Sequence, residues 1–160
     1  MKFLHESVMV EEVVAALAIK PGGVYVDCTA GGGGHSYKIG ERLNENGLLI
    51  GIDRDLDAIN AAREKLSGLR CKVELVHENF SALEKILDDL SVDKVDGVLF
   101  DLGVSSHQID TAERGFSYMK DAALDMRMDR TENFSAYDVI NGYDEETLKK
   151  IFRQDCAANC

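Results

Sequence analysis

Val24-Tyr-Val-Asp-Cys-Thr-Ala-Gly-Gly-Gly-Gly-His-Ser36, followed by Leu48-Leu-Ile-Gly-Ile-Asp53, is the part of the sequence that decides the fold. Residues 24–29 are rich in β-branched and apolar side chains, which predicts a buried strand. The four glycines at 31–34 stop it and free the backbone for tight turns and close approach to a ligand. A helix is predicted from about Gly34, with Ile39 and Leu43 on its inner face, and residues 48–53 read as the next strand. In a unit of strand, glycine turn, helix and strand, the ligand lies beyond the carboxyl ends of the strands. An acid about 20 residues past the glycines then accepts hydrogen bonds from ribose hydroxyls. Asp53 has that position, so the turn is a candidate nucleotide-type cofactor site and not only a structural turn.

Two kinds of cofactor fit such a unit. The dinucleotide pattern G-x-G-x-x-G fails, because a start at Gly31 puts Ser36 in place of its third glycine and a start at Gly32 puts Tyr37 there. S-adenosylmethionine is therefore preferred to a nicotinamide dinucleotide, and no acid suited to hydride transfer is evident for an oxidoreductase.

Working outward, residues 8–17 carry Val10, Val13, Val14 and Leu17 at helical spacing, ended by Pro21-Gly22-Gly23. Residues 55–66 predict a helix with Leu56, Ile59 and Leu66 turned inward, and residues 72–77 a third strand. Residues 81–90 place Leu83, Ile86, Leu87 and Leu90 at the i, i+3, i+4, i+7 positions of an amphipathic helix, and residues 95–101 supply a fourth strand. The alternation predicts an α/β fold, a doubly wound, mainly parallel, Rossmann-like sheet with right-handed crossovers. From Gly103 to about Thr131 it stops, and a polar segment dotted with Phe116, Met119, Met126 and Met128 predicts a long functional loop or inserted element. Helical patterning returns at 135–141 and 144–152, with Asp144 as an N-cap and Leu148, Ile151 and Phe152 as one apolar stripe. Four strands leave the sheet open on one side.

At 160 residues with 45% hydrophobic content, the chain can build one sizeable core. No stretch approaches the roughly 20 apolar residues of a membrane span, and no basic segment with an apolar signal core opens the chain. A cytoplasmic, soluble protein is expected. Cys28, Cys71, Cys156 and Cys160 contain no C-x-x-C pair, which disfavours zinc and disulfide frameworks. The net charge of −11 argues against broad attraction to nucleic acid, so an RNA-modifying role needs basic surface elsewhere.

Asp101 ends the fourth strand in Asp101-Leu-Gly-Val-Ser-Ser106, at the same sheet edge as the glycine turn and Asp53. Methyl transfer needs a nucleophile held in line with a sulfonium methyl and shielded from water, and it needs no metal. For an exocyclic amine, an acceptor of its N–H groups helps localise the lone pair, and Asp101 is the candidate. It stands where amino-methyltransferases often carry Asp/Asn-Pro-Pro-aromatic, of which the prolines and aromatic are missing. A cofactor ligand or loop cap is the other role open to it. Phe80 is placed to pack on an adenine ring or to staple the helix that follows. His35 begins the first crossover helix beside the glycines. His107 and Gln108 lie in the loop after strand four, within reach of cofactor or substrate, while His5 and His77 are taken as structural.

Taken together, His5-Glu-Ser-Val-Met9, Asp27-Cys-Thr-Ala-Gly-Gly-Gly-Gly-His-Ser36, Gly51-Ile-Asp-Arg-Asp55, Asn79-Phe80, Asp101-Leu-Gly-Val-Ser-Ser106, Glu113-Arg-Gly-Phe-Ser117 and Leu124-Asp-Met-Arg-Met-Asp129 resemble the MraW/RsmH methyltransferases. These bacterial enzymes methylate N4 of a cytidine in small-subunit ribosomal RNA. The resemblance runs from His5 to about Arg153, and its last two motifs separate this family from generic methyltransferases. It implies S-adenosylmethionine contacts at Gly33, Gly34, His35, Asp53, Phe80, Asp101 and Gln108. It also implies action on ribosomal RNA within an assembled small subunit, and leaves the oligomeric state open. Residues 1–104 then form the cofactor-binding domain, and residues 105–160 the start of an inserted helical substrate-recognition domain. Arg114, Phe116, Asp125 and Arg127 are expected near the mouth between cofactor and RNA. The two arginines would hold phosphate or base and Phe116 would stack on the target base; an internal Arg–Asp pair is the competing role. After Ile151-Phe-Arg153 the family continues with a Tyr-Gly-Glu-type segment, and the tail 154–160 departs from it. A truncated or frameshifted frame is expected, with a catalytically silent cofactor- or ribosome-binding module as the alternative to an enzyme.

Overall fold

The computed structural model describes residues 9–155; the motif residues His5 to Val8, and Cys156 and Cys160 of the tail, lie outside the described residues. Four strands, β1 (Val24–Asp27), β2 (Leu48–Asp53), β3 (Lys72–His77) and β4 (Gly97–Leu99), form one parallel sheet in the order β3-β2-β1-β4. Helix α1 (Val10–Leu17) precedes β1, and α2 (Gly34–Gly40), α3 (Leu56–Leu66) and α4 (Leu83–Asp89) connect successive strands, α4 being entered through a 3₁₀ turn at Phe80–Ala82. All carboxyl ends share one edge. The strand order reverses between β1 and β4, which opens the switch-point crevice where such sheets bind ligands.

Both faces of the sheet are covered, so its central strands β1 and β2 are largely apolar runs whose side chains alternate between two cores. Tyr25 and Leu49 pack with Ile39, Leu43, Ala62, Leu66 and Cys71 on one face. Val26, Cys28, Ile50 and Ile52 pack with Ile86 on the other. Each Val, Leu or Ile side chain among them contributes roughly 1.5–3 kcal/mol by leaving water.

Several boundaries differ from the sequence-based expectation, for local reasons. Strand β4 covers Gly97–Leu99 and not residues 95–101. Before it, the Asp96 carboxylate accepts from Val24 N at 3.0 Å and from Lys20 Nζ at 2.6 Å. Beyond it, Asp101 N turns to a threonine hydroxyl instead of the ladder. In α3 the buried stripe is Ala58, Ile59, Ala62 and Leu66, while Leu56 is 44% exposed. Leu56 follows the Asp55 cap directly, as the first residue of the helix. The irregular segment after Gly103 contains α5 (Ser106–Asp110) and a 3₁₀ turn at Ala112–Arg114, and the chain then continues to α6 (Ala136–Gly142) and α7 (Glu145–Lys150). Phe152 is exposed, so the expected stripe reduces to half-buried Leu148 and Ile151.

The chain divides into two compact units between Ser105 and Ser106. Among the described residues no helix is long and apolar enough to cross a membrane.

Candidate cofactor-binding site

The cleft of the first unit is assembled around two carboxylates, Asp27 buried and Asp53 half-buried. Asp27, the last residue of β1, accepts from Ser36 Oγ at 2.6 Å and from Thr29 N at 3.2 Å. Asp53, the last residue of β2, accepts from Gly31 N at 2.7 Å and from Asp55 N at 2.9 Å. Gly31 N thus fixes the glycine turn to the acid that sequence spacing assigns to ribose. Burial pushes both carboxyls up from their ordinary range. The Ser36 hydroxyl opposes this at Asp27, and the amides of Asp55 and Gly31 oppose it at Asp53. Gly33 has φ +78°, and a Cβ there would lie 3.3 Å from Ala62 Cα, so glycine is required both by the turn and by the approach of α2 to α3.

At the end of β4, Asp101 N donates to Thr29 Oγ1 at 2.7 Å. Asp101 Oδ2 lies 3.6 Å from Nδ1 of buried His35, while the Asp101 side chain remains 56% exposed and open to a ligand. Phe80 and Phe100 follow the two edge strands, yet their rings meet edge to face with centroids 5.5 Å apart. They are 36% and 48% exposed, an aromatic pair left partly uncovered. Sequence reasoning named Phe80, His35, Asp53 and Asp101 as candidates; it did not name Phe100, and it quoted Asp27, Thr29 and Ser36 in the glycine motif without giving them a role. A large apolar residue directly before Asp101 was the available signal for Phe100. Asp27, Thr29 and Ser36 bond one another within nine residues, inside the quoted motif, and only the bond from Asp101 N to Thr29 Oγ1, 72 residues apart, lies beyond what spacing can show.

The donor set fits an adenosine-type group. Each carboxylate oxygen has more than one acceptor position, so Asp53 can hold the turn and still accept from vicinal hydroxyls. The glycine-lined backbone admits a close ligand.

In the second unit, Gln108 is buried on α5. Arg114, 1% exposed, donates through Nη2 to the carbonyls of Arg127 and Met128, each at 3.0 Å. Arg127 makes a two-pronged pair with Asp125, Nε to Oδ1 at 2.8 Å and Nη2 to Oδ2 at 2.7 Å, and Nη1 donates to Glu132 O at 2.6 Å. The Arg127 guanidinium holds the Asp125 carboxyl down to about 2. These three side chains therefore brace the loop in which they lie, and the internal Arg–Asp pair is the arrangement present. Phe116 is half-buried and lines a pocket of about 360 Å³ with Tyr118, Lys120, Leu124 and Met126.

The fold is that of the Rossmann-like S-adenosylmethionine-dependent methyltransferases. A model of the MraW methylase family matches residues 2–158, and the chain belongs to that family. It is 58% identical over 153 residues to "Ribosomal RNA small subunit methyltransferase H" of Clostridium botulinum (strain Loch Maree / Type A3), covering 96% of this chain and 49% of that protein. The protein of the same name from Clostridioides difficile (strain 630) is 55% identical with the same coverages, 96% and 49%. The chain thus spans about half the length of the curated relatives it matches. The crystal structure of a candidate rRNA-methylase from Clostridium thermocellum superposes with a TM-score of 0.54 at 25% identity, covering 64% of this chain and 55% of that one.

Proposed function

We propose that the cleft at the carboxyl ends of β1, β2 and β4 holds S-adenosylmethionine, in the service of methylation of small-subunit ribosomal RNA at the N4 amine of a cytidine. The observation that carries this is the 2.7 Å bond from Gly31 N to Asp53, which joins the glycine turn to the acid placed for ribose. Membership of the MraW methylase family supports the reaction class, and the printed name of the relatives supports the RNA substrate. When bound, the cofactor supplies an electrophilic sulfonium methyl. Asp53 accepts from the ribose hydroxyls, Phe80 packs on the adenine, and the backbone of Gly33, Gly34 and His35 borders the amino-acid end. Asp101 presents a carboxylate to the cleft and orients the target amine by accepting from its N–H groups. That leaves the nitrogen lone pair directed at the methyl.

The test is transfer of radioactive methyl to purified small ribosomal subunits, with calorimetric titration of S-adenosylhomocysteine alongside. Asp53→Ala is expected to weaken S-adenosylhomocysteine by about tenfold or more, the loss of hydrogen bonds to a charged acceptor. Unchanged affinity removes the ribose contact. Asp101→Asn is expected to abolish transfer while binding survives. Transfer and binding lost together make Asp101 a cofactor ligand instead.

A further inference from the structure

We propose that the Thr29 hydroxyl is the positioning group for Asp101, tying it to the glycine turn so that its carboxylate stands correctly in the cleft. The functional meaning rests on the cofactor assignment above, whereas the tie itself is a property of this chain.

Thr29 lies two residues past β1 and Asp101 two residues past β4, 72 positions apart in sequence. The main chains of the two strands are still joined by Cys28 N to Leu99 O at 2.9 Å. One step further, Asp101 N donates not to a carbonyl but to Thr29 Oγ1, at 2.7 Å. A hydroxyl that accepts from an amide has its own proton to place, and Asp27 Oδ1 lies 3.4 Å away. The other oxygen of Asp27 takes the Ser36 hydroxyl at 2.6 Å, on α2. His35, the neighbour of Ser36, meets the Asp101 carboxylate at 3.6 Å. Asp101 is therefore referenced to α2 twice, through its amide by way of Thr29, Asp27 and Ser36, and through its carboxylate by His35. The glycine turn lies between the residues of this circuit in sequence, so a displacement of one is passed to the other. Valine in place of Thr29 keeps the volume and the β-branching but removes the acceptor, and serine keeps the hydroxyl.

The test compares the full chain with Thr29→Val, Thr29→Ser and Asp101→Asn. Amide hydrogen exchange at Asp101 is read by NMR without ligand, and S-adenosylhomocysteine affinity and methyl transfer are read with it. Thr29→Val is expected to speed exchange at the Asp101 amide by about tenfold while Ile50 keeps its protection. It is also expected to lose, by about tenfold, the same property that Asp101→Asn loses, whether affinity or transfer. Thr29→Ser is expected to stay within about twofold of the unaltered chain in both. A role limited to stability would lower protection at Ile50 as well and would not be restored selectively by serine. Unchanged exchange at Asp101 in Thr29→Val overturns the proposal, as does loss of the property that Asp101→Asn retains. If the unaltered chain neither binds S-adenosylhomocysteine nor transfers methyl, the cofactor assignment fails, and the Asp101 amide alone decides the positioning role by the same criterion.

Discussion

At the scale of single residues, Asp125 on the one hand and Asp27 and Asp53 on the other have opposite dependence on pH. Asp125 is held down to about 2 by the Arg127 guanidinium. A carboxyl in an unfolded chain titrates near 4, so the pair contributes stability that is fully present above about pH 4 and is lost as pH falls toward 2. Asp27 and Asp53 are shifted upward, chiefly by burial. Their contribution is fully present below about pH 4 and is lost as pH rises through their raised folded values. Asp125→Asn is therefore expected to flatten the acid limb of a urea-midpoint profile between pH 4 and 2, where the unaltered chain declines. An identical decline in the variant would show that the Asp125–Arg127 pair does not hold the loop. The same pairing explains why sequence motifs overstate arginines as phosphate grips. Arg114 and Arg127 are typical anion-binding side chains by type, and here they donate to the carbonyls of 127, 128 and 132.

At the scale of elements, the two motifs Glu113–Ser117 and Leu124–Asp129 build one another. Met126 N donates to Arg114 O at 3.0 Å, and Ala136 N and Tyr137 N donate to the carbonyls of Asp125 and Leu124, each at 2.8 Å. Gly115 sits inside this knot at φ +71°, where an added Cβ would fall 2.6 Å from Ala123 O and 2.8 Å from Asp125 N. Neither atom is a flexible side-chain end. Gly115→Ala is thus expected to cost about 2–4 kcal/mol, combining left-handed strain with overpacking against backbone. Gly142, the last residue of α6, has nothing within 4 Å of its built Cβ. Gly142→Ala is expected to be neutral or to stabilise by up to about 1 kcal/mol through the helix preference for alanine. Equal urea midpoints for the two variants would refute the interlocked arrangement. Elements were legible in proportion to their periodicity. The strand β2 and the cap Asp144 follow from a continuous apolar run and from a side chain that accepts locally, at Thr147 N. The ends of β1 and β4 were overrun because the bonds that terminate them, such as Asp101 N to Thr29 Oγ1, join residues 72 apart. The short α5 buries only Gln108, which leaves no apolar stripe to read.

At the scale of the whole molecule, charge limits how RNA can be met. The chain has 18 Lys and Arg against 29 Asp and Glu. Many of its cations are already engaged locally: Lys20 with Asp96, Lys38 with Glu41, Lys72 with Glu74, Arg127 with Asp125, and Lys149 with Glu145 and Glu146. Lys120 donates to the carbonyl of Asp110. Unspecific affinity for nucleic acid comes from phosphates neutralised by such side chains, and its salt dependence scales with their number. A surface this acidic repels a generic duplex, so the RNA recognition proposed above calls for local shape and apolar contact in place of a general phosphate-binding surface on this chain. An unrelated RNA duplex at about 150 mM salt is therefore expected to bind more weakly than about 10⁻⁴ M, the weak end of unspecific binding. Fluorescence anisotropy over a salt series measures this directly. Micromolar binding with a steep log–log slope against salt would mean that the chain carries a phosphate-binding surface which its net charge conceals. The place to look would then be Arg54, Arg63 and Lys65, on and before α3.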